Sequence, residues 1–426
     1  MKNTSWRRTI DALALAALAF CAGSAPAAAP QPMSFTACID SLRRELLQHP
    51  QVRAETFDAQ TREVQDLRPV ILSATESQPE FKLAVWDYIA RLVDTQRVAE
   101  GKAVLAAQAG PLQAIAMRRG IDAAIAVAVF GVETDYGQVE GRYPVVDATL
   151  SRACLDLNSK ERKRHFFAAL WLLQQGLVKA DAFRGSWAGA FGLTQFMPGT
   201  FVTYMDSAEG TDAAIDIVRS VPDALATTAH FVAASGWVEG LRWGVEVTRP
   251  KDMARAWSAA EREHACLGVG ASNKSDKCRS VDQWAALGVQ PVAARDAATA
   301  PALPGDVPAA LLAPAGDAGP SWLVTRNYQA LWQYNRADTY ALAIGLLSDA
   351  LRGDPPMRAE WPTDDLGLGR AEMRELQGEL LRRGHTKVSI DAYDGPLTRA
   401  AIRVEERALG WPETGRAGAR LLRALR

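Results

Sequence analysis

Apolar residues recur at three- and four-residue spacing along much of the chain, and this pattern predicts a mainly helical fold. The segments with this pattern are residues 38–47, 79–94, 101–120, 160–177, 220–234 and 340–351. Residues 121–132 differ from them, because Asp122 is the only charged residue in a run that is otherwise almost wholly apolar. This run is too short to span a membrane, and its length predicts a helix buried on every side.

Two segments break the helical pattern. Residues 352–369 begin with arginine, glycine, aspartate and two prolines, which favours a linker, and we place the linker at residues 356–368. The predicted units are therefore a large domain over residues 33–355 and a small one over residues 369–426. Residues 285–320 are rich in alanine, proline and glycine, so they form either a flexible linker or a small irregular or β-stranded subdomain.

The first 29 residues have the pattern of a signal peptide, which predicts export to the periplasm. A basic start, an apolar stretch and small residues make up the pattern: Lys2, Arg7, Arg8, residues 12–20 and residues 25–29. The paired arginines also allow a twin-arginine signal, and Cys21 allows a lipid anchor. Because the bulky Phe20 lies directly before Cys21, we favour simple cleavage without a lipid.

The cysteines that remain after this signal are even in number, which favours disulfides in an exported protein. They are Cys38, Cys154, Cys266 and Cys278. Three pairings are open. We predict the pair Cys266–Cys278, which closes a short polar loop, and buried free thiols are the alternative. No cysteines and histidines have the spacing of metal ligands, so we predict neither a metal site nor another cofactor.

Charge and aromatic content narrow the function classes. The formal net charge of the 426 residues is −1, which provides no basic surface for binding nucleic acid. The count of 12 tryptophans is high and suits stacking on carbohydrate, although we expect most of them in the core.

Glu133 directly follows the apolar run, and we select it as the candidate catalytic residue. Burying a charged carboxylate is costly, so the group is either paired or protonated through a raised pKa. A carboxyl group with a raised pKa donates a proton near neutral pH, as cleavage of a glycosidic bond requires. The alternative is a structural ion pair with an arginine such as Arg142.

Residues 185–198 form the second candidate stretch, Gly-Ser-Trp-Ala-Gly-Ala-Phe-Gly-Leu-Thr-Gln-Phe-Met-Pro. Its glycines and alanines allow the backbone to approach a ligand or another helix closely. Ser186 and Gln195 supply hydrogen-bonding groups, while Phe196 and Met197 supply apolar surface. This mixture is typical of a sugar-binding groove, and tight helix packing is the alternative.

Gly131-Val132-Glu133-Thr134, followed by the 185–198 stretch, closely resembles the membrane-bound lytic murein transglycosylase B family, which has a lysozyme-like core. Further matching motifs follow in the same order at residues 220–225, 236–237, 324–328, 334–335 and 340–341. Because motifs resume after residues 285–320, we favour a subdomain there. The implied fold class is mainly α, with a lysozyme-like catalytic core, additional helices, a small irregular or β subdomain and a C-terminal three-helix domain.

The resemblance implies a set of substrate-binding residues around Glu133. They are Ser186, Gln195, Phe196, Met197, Tyr88, Phe231, Tyr334, Asn335 and Tyr340. Ser186 and Gln195 would hydrogen-bond the sugar, and Phe231 replaces a tyrosine that often lines the groove in relatives. Core packing is the alternative for Tyr88 and Phe231, and a structural hydrogen-bond network is the alternative for the other tyrosines and Asn335.

Two regions depart from the family pattern. Residues 205–212 lie where relatives often carry an acidic calcium loop, but its alternating acids are missing, so we predict no tight calcium site. Residues 369–426 resemble the small three-helix peptidoglycan-binding domain. Because Ala392-Tyr393 interrupts its usual turn and residues 404–406 replace its usual Phe-Gln, we expect weak wall binding, with a spacer role as the alternative.

The function implied by the resemblance is that of a peptidoglycan lytic transglycosylase with one catalytic carboxyl group. Glu133 would protonate the bond between N-acetylmuramic acid and N-acetylglucosamine and then take the proton from the muramoyl C6 hydroxyl, which attacks C1. Asp135 is two residues away and points to another helix face, and nothing requires Asp147 to approach. The alternatives are a hydrolytic muramidase with a second carboxylate and a catalytically silent wall-binding protein.

The expected partners are the glycan strands of peptidoglycan, and cell-wall synthesis proteins are an open further class. We expect a monomer.

Overall fold

The computed structural model describes residues 33–76, 78–210, 215–250, 266–268, 278–292 and 302–426. Helices dominate these residues, as the apolar pattern predicts. The predicted signal peptide, with Cys21, lies outside the described residues. None of the helices within these ranges is both long and apolar enough to cross a membrane.

The helices are α1 (Phe35–Glu45), α2 (Ala54–Thr61), α3 (Arg68–Glu76), α4 (Pro79–Lys82), α5 (Val85–Leu92), α6 (Thr95–Ala107), α7 (Ala109–Arg119), α8 (Ala123–Thr134), α9 (Val145–Leu155), α10 (Lys160–Gln174), α11 (Pro198–Tyr204), α12 (Val221–Ala234), α13 (Val281–Ala286), α14 (Arg326–Asn335), α15 (Asp338–Arg352), α16 (Arg370–Arg382), α17 (Pro396–Ala408) and α18 (Ala419–Leu425). The strands are β1 (Tyr143–Pro144), β2 (Arg184–Gly185), β3 (Gly244–Thr248), β4 (Cys278–Ser280), β5 (Gln290–Pro291), β6 (Pro308–Leu312) and β7 (Ser321–Val324).

Two of the predicted helices are interrupted. The prediction of one helix over residues 79–94 is wrong, because Leu83 and Ala84 are extended, with ψ of 149° and 143°, between α4 and α5. The helix predicted at residues 101–120 begins earlier, at Thr95, and divides at Gln108. Neither break falls on a proline or glycine. Leu83 packs against the larger hydrophobic core of the protein, which includes residues 124–130 of α8. Tertiary packing therefore overrides local helix propensity at this position.

The apolar helix α8 lies in the middle of the larger core, as predicted. Its residues 124–131 are all buried, and α15, α12 and α6 pack around it. The Asp122 carboxylate accepts a hydrogen bond from the Ala124 backbone and caps its start. Asp135 ends it in the left-handed conformation, with φ of 53°. The helix therefore leaves the core within the turn that contains Glu133.

A second hydrophobic core lies beside the first. Residues of α1, α2, α9, α10 and α11 build it, with Phe166, Phe191 and Phe201 among its buried side chains. Phe231 and Tyr334 pack against both cores. The junction between the two cores is thus formed by residues that the sequence assigns to the substrate groove.

A five-stranded antiparallel sheet lies where the β-stranded subdomain was predicted, but it extends beyond residues 285–320, because β3, β4 and β7 lie outside them. Its strand order is β4-β6-β7-β3-β5, and Gly244 of β3 pairs with Val324 of β7. Thr325, directly after β7, bonds the Trp243 carbonyl through its backbone N–H at 2.9 Å and caps α14 with its side chain. The sheet therefore fixes the start of the helix whose last turn carries Tyr334 and Asn335. Residues 293–301 lie outside the described residues.

The C-terminal helices α16, α17 and α18 enclose a small core of their own, which includes Leu376, Ile402 and Leu422. Ion pairs join this module to the helices around α8. The pairs are Arg370 with Asp94, Glu100 and Asp135, Arg416 with Asp87, and Asp394 with Arg91. Asp135 is the residue that ends α8, so the module contacts the end of that helix directly.

The described residues contain two disulfides, Cys38–Cys154 and Cys266–Cys278, and the second confirms the predicted pair. The first joins α1 to α9 within the second core.

We expect Cys38→Ala/Cys154→Ala to lower the free energy of unfolding more than Cys266→Ala/Cys278→Ala. The paired cysteines are 116 residues apart in the first bridge and 12 in the second. Loop-closure entropy corresponds to roughly 4.7 kcal/mol for a loop of about 100 residues and roughly 3 kcal/mol for about 15. Urea unfolding followed by circular dichroism measures both losses, and a larger loss for the second pair would contradict the expectation.

We expect Arg370→Gln to destabilise the protein by roughly 3 kcal/mol, because it takes from the partly buried Asp94 and Glu100 the cation that Arg370 supplies. Arg370 is 7% exposed and pairs with Asp94, Glu100 and Asp135, of which Asp135 keeps its ion pair with Arg97. The matched control is Arg374→Gln on the same helix, which loses one hydrogen bond to Gln96. Differential scanning calorimetry compares the two, and equal losses for both variants would contradict the role of the ion cluster.

Candidate active site

Glu133 lies in the last turn of α8, where the helix reaches the edge of the larger core. Its Oε1 accepts a hydrogen bond of 2.6 Å from the Tyr340 hydroxyl on α15. Among the described residues no cation forms an ion pair with this carboxyl group. The alternative of a structural ion pair with Arg142 is therefore wrong.

The environment of Glu133 favours the protonated form. The pKa of Glu133 is raised from its ordinary value of 4.5 to about 8, mainly by burial and to a smaller extent by the negative charge of Glu80. The hydrogen bond from Tyr340 acts in the opposite direction on this pKa, because it stabilises the carboxylate. At neutral pH the carboxyl group consequently holds a proton that it can donate.

A cleft of about 280 Å³ opens over Glu133. The residues that line it are Pro79, Glu80, Leu83, Tyr88, Arg91, Leu92, Val132, Glu133, Asn335 and Tyr340. The first three belong to α4 and to the break after it. The interruption of the predicted helix therefore has a consequence for the site, because it brings a short helix to the wall of the cleft.

The 185–198 loop is held between two helices. Thr134 on α8 donates from its hydroxyl to the Leu193 carbonyl at 2.6 Å, and Tyr334 on α14 donates to the Thr194 carbonyl at 2.7 Å. Gly192 has φ of 78°, and a Cβ there would lie 2.7 Å from the Ile217 carbonyl oxygen, so only glycine fits. Gln195 also has a positive φ, of 52°, and residues other than glycine seldom adopt this conformation.

A larger groove of about 920 Å³ lies next to the cleft. Six of the sequence-predicted residues line this groove: Gln195, Phe196, Met197, Phe231, Tyr334 and Asn335. Asn335 lines the cleft as well, so the two spaces adjoin at this residue. The two together form one continuous candidate binding surface beside Glu133.

Aromatic rings connect the groove to the catalytic candidate. The Tyr334 ring lies 5.5 Å from Phe196 and 5.1 Å from Phe231, both in edge contacts. It also stacks on Tyr340 with 6.1 Å between ring centroids. Because Tyr340 donates to Glu133, packing of the groove aromatics fixes the position of the carboxyl group's hydrogen-bond partner.

Two predicted residues have structural contacts of their own. The Ser186 hydroxyl oxygen accepts hydrogen bonds from the Ala188 and Ala190 backbone N–H groups, both at 3.2 Å, and lines neither the cleft nor the groove. Tyr88 lines the cleft and is only 5% exposed, so it belongs to the site wall and to the core.

Two carboxylates near Glu133 in sequence, Asp135 and Asp147, were considered as a second acid or base. Asp135 is held by Arg97 and Arg370, as its different helix face predicts. Asp147 accepts a hydrogen bond from the Gln65 backbone at 3.2 Å and does not line the cleft.

Glu80 is the carboxylate that sequence reasoning missed. It lines the cleft and accepts a hydrogen bond of 3.4 Å from the Asn335 side chain. Its sequence position, directly after Pro79 at a helix start, is one where acidic residues are common for local reasons, so no pattern distinguished it.

No group of three or more potential metal ligands occurs in the part of the chain that the structure describes. Asp206, in the segment where relatives carry a calcium loop, forms an ion pair with Arg119 at 2.8 Å. Residues 211–214 of that segment lie outside the described residues. The absence of a tight calcium site therefore stays a prediction.

Comparison with known proteins identifies two families along the chain. A transglycosylase SLT domain matches residues 34–349, and a peptidoglycan binding domain matches residues 369–425. Membrane-bound lytic murein transglycosylase B of Escherichia coli is 29% identical over 239 residues, which are 54% of this chain. The chain spans 57% of that relative's length.

Solved structures resemble the chain over a longer range. SltB3 of Pseudomonas aeruginosa, in complex with NAG-anhNAM-pentapeptide, is 36% identical and matches 92% of this chain and 99% of its own, with a TM-score of 0.65. SltB1 from the same organism is 24% identical, covering 74% of this chain and 99% of its own with a TM-score of 0.61, and supports the fold alone. These neighbours confirm the predicted fold class with its lysozyme-like core. The transglycosylase SLT match covers most of this chain, and the chain therefore belongs to the SLT-domain family of lytic transglycosylases.

Proposed function

We propose that the protein cleaves the β-1,4 bond between N-acetylmuramic acid and N-acetylglucosamine in peptidoglycan and leaves 1,6-anhydromuramic acid ends. The arrangement that carries this proposal is the Glu133 carboxyl group in a cleft beside an aromatic groove, with a raised pKa and with no ion-pair partner among the described residues. A family member with a bound anhydro-muropeptide gives further support, since that ligand corresponds to the proposed product.

In the first step the Glu133 carboxyl group donates its proton to the glycosidic oxygen, and the bond from that oxygen to the muramoyl C1 breaks. In the second step the Glu133 carboxylate takes the proton from the muramoyl C6 hydroxyl, whose oxygen bonds to C1. The carboxyl group ends protonated as it began, and no water is consumed. Because the nucleophile belongs to the substrate, the ring closure is intramolecular and gains the corresponding entropic advantage.

The other site residues would bind and orient the glycan. Gln195 and Asn335 offer amide groups to the sugar, and Phe196 and Met197 form the apolar floor of the groove. Tyr340 stabilises the carboxylate that forms when Glu133 has given up its proton. Tyr88, Phe231 and Tyr334 shape the walls, and Ser186 contributes through the turn that its hydroxyl oxygen stabilises.

The proposed domain organisation follows the predicted boundaries. Residues 33–355 form the catalytic domain, residues 356–368 the linker, and residues 369–426 the wall-binding module. Residues 1–29 would direct export to the periplasm, where the substrate occurs. The glycan strand is the proposed partner of a monomeric enzyme.

A hydrolytic muramidase is the second candidate, because Glu80 supplies another carboxylate at the same cleft. In that mechanism one carboxyl group acts as the acid and the other activates water or attacks the sugar. The hydrogen bond from Asn335 already occupies Glu80, which favours a positioning role for it over a catalytic one.

The mature protein is expected to release muropeptides with 1,6-anhydromuramic acid ends from purified sacculi, as measured by mass spectrometry. Glu133→Gln should lower the rate by roughly 10²- to 10⁴-fold, the typical contribution of general acid–base catalysis. Its circular dichroism spectrum should match that of the wild type. Products heavier by one water would identify a muramidase, and an absence of products would favour a wall-binding protein.

Glu80→Gln separates the two enzymatic mechanisms. We expect it to retain anhydro product formation within about tenfold of the wild-type rate, because a positioning group contributes less than a catalytic one. A loss as large as that of Glu133→Gln would assign Glu80 a catalytic role.

Activity is expected to fall as the pH rises through about 8, where Glu133 loses the proton that it donates. Tyr340→Phe removes a hydrogen bond that holds this pKa down, so the alkaline limb of kcat/KM should move to higher pH. Glu80→Gln removes a negative charge that raises this pKa, so the limb should move to lower pH. Shifts of both variants in one direction would contradict the assignment of the limb to Glu133.

A further inference from the structure

Arg91 of α5 is the one cation among the described residues that line the cleft over Glu133. Two carboxyl groups, those of Glu80 and Glu133, line the same cleft. Within the described part of the chain Arg91 forms an ion pair with neither of them. Its Nη2 donates instead at 2.6 Å to Oδ2 of Asp394, a residue of the C-terminal module. The cation of the cleft is therefore bound by a carboxylate from another domain.

The module fixes the position of Asp394 independently of Arg91. Asp394 is 8% exposed and lies in the turn directly before α17. Arg399 donates to the Asp394 backbone carbonyl at 2.9 Å and lies 3.4 Å from its Oδ1. Gln377 of α16 holds the same turn, because its Nε2 donates to the Tyr393 carbonyl at 3.0 Å. The carboxylate is thus a fixed point to which the longer arginine side chain is drawn.

Other contacts hold the backbone of α5 in place. Arg416 of the module donates to the two carboxylate oxygens of Asp87 at 2.7 and 2.8 Å. Asp87 and Arg91 are four residues apart on the helix and so lie on one face. Arg97 donates to the Arg91 carbonyl at 2.9 Å. Loss of the pair with Asp394 would therefore release the Arg91 side chain and leave its backbone where it is.

The charge around Glu133 is sensitive to a released cation. The groups that face it are Glu80 of α4, Tyr88 and Arg91 of α5, Tyr334 of α14 and Tyr340 of α15. Burial raises the pKa of all three tyrosines well above the ordinary value of 10, so they stay neutral. Arg97, on the neighbouring α6, is paired with Asp135. A guanidinium group that moved into this set would stabilise the Glu133 carboxylate and lower its pKa.

We propose that Asp394 is a positioning residue, which binds Arg91 and so holds the cation of the cleft away from the Glu133 carboxyl group. This inference deepens the proposed function and rests on it, because it concerns the acid of that reaction. A released Arg91 would pair with the carboxyl groups that line its cleft, Glu80 and Glu133. Glu133 would then be ionised at neutral pH and have no proton to donate to the glycosidic oxygen.

The test is the titration of the Glu133 carboxylic acid in the full chain without substrate. Infrared difference spectra between each protein and its Glu133→Gln counterpart give the midpoint, which we expect near a pKa of about 8 for the wild type. Asp394→Asn should lower this midpoint by roughly one to three pH units, the usual effect of an opposite charge at close range. The alkaline limb of kcat/KM on a soluble glycan should move to lower pH by the same amount.

Three further variants separate this effect from a loss of structure. Arg91→Gln/Asp394→Asn should return the midpoint close to the wild-type value, because no cation remains to be released. Arg91→Gln alone should also keep that midpoint, since Asp394 already holds the cation that it removes, and this variant tests the proposal even if Asp394→Asn does not fold. The matched control is Arg416→Gln, which removes the neighbouring pair with Asp87 and should leave the midpoint unchanged.

The outcomes distinguish the positioning role from the proposed function. An unchanged midpoint in Asp394→Asn would overturn the positioning role and leave the proposed function intact. An equal fall in Arg416→Gln would also overturn it, because a loosened module would then explain both results. A rise of one pH unit or more in Arg91→Gln would overturn it as well, because Arg91 would then already act on Glu133 in the wild type. A wild type that releases no muropeptides would overturn the proposed function, while the infrared titration would still decide the role of Asp394.

Discussion

The proposed chemistry depends on one interaction, the hydrogen bond between Tyr340 and the Glu133 carboxyl group at the end of an apolar helix, where no cation of the described residues pairs with that group. Burial raises the pKa of Glu133 and so disfavours release of its proton. The tyrosine reduces this effect while it leaves the acid form dominant at neutral pH, with a pKa of about 8. A group that must donate a proton and then accept one needs this intermediate position.

Much of the surrounding structure serves to hold that pair in place. α8 and α15 pack against each other in the larger core, and each carries one member of the pair. Tyr334 stacks on Tyr340 and is itself in edge contact with Phe196 of the second core. The C-terminal module binds Asp135, Asp87 and Arg91, which are close in sequence to Glu133 and Tyr88 or line the cleft themselves. The module thus holds a residue of the cleft wall, Arg91, in place through its ion pair with Asp394.

The sequence was sufficient for features that depend on local pattern. The apolar run predicted α8 and its burial, and the glycine-rich motif predicted the groove residues that the structure groups around Asn335. Contacts between residues that are far apart in the sequence could not be predicted from these local patterns. The contact of Asn335 with Glu80 joins residues 255 positions apart, and the break at Leu83 that allows it depends on packing with the core. The use of the Ser186 hydroxyl oxygen within its own turn was likewise invisible in the motif.

The most direct test of the central claim is the protonation of Glu133 in the folded protein, without substrate. Infrared difference spectra between the wild type and Glu133→Gln isolate the carbonyl band of this carboxylic acid as the pH is changed. We predict that the band persists at neutral pH and disappears with a midpoint near a pKa of about 8. A midpoint near the ordinary value of 4.5 would show that Glu133 is ionised at neutral pH and would contradict its role as the acid.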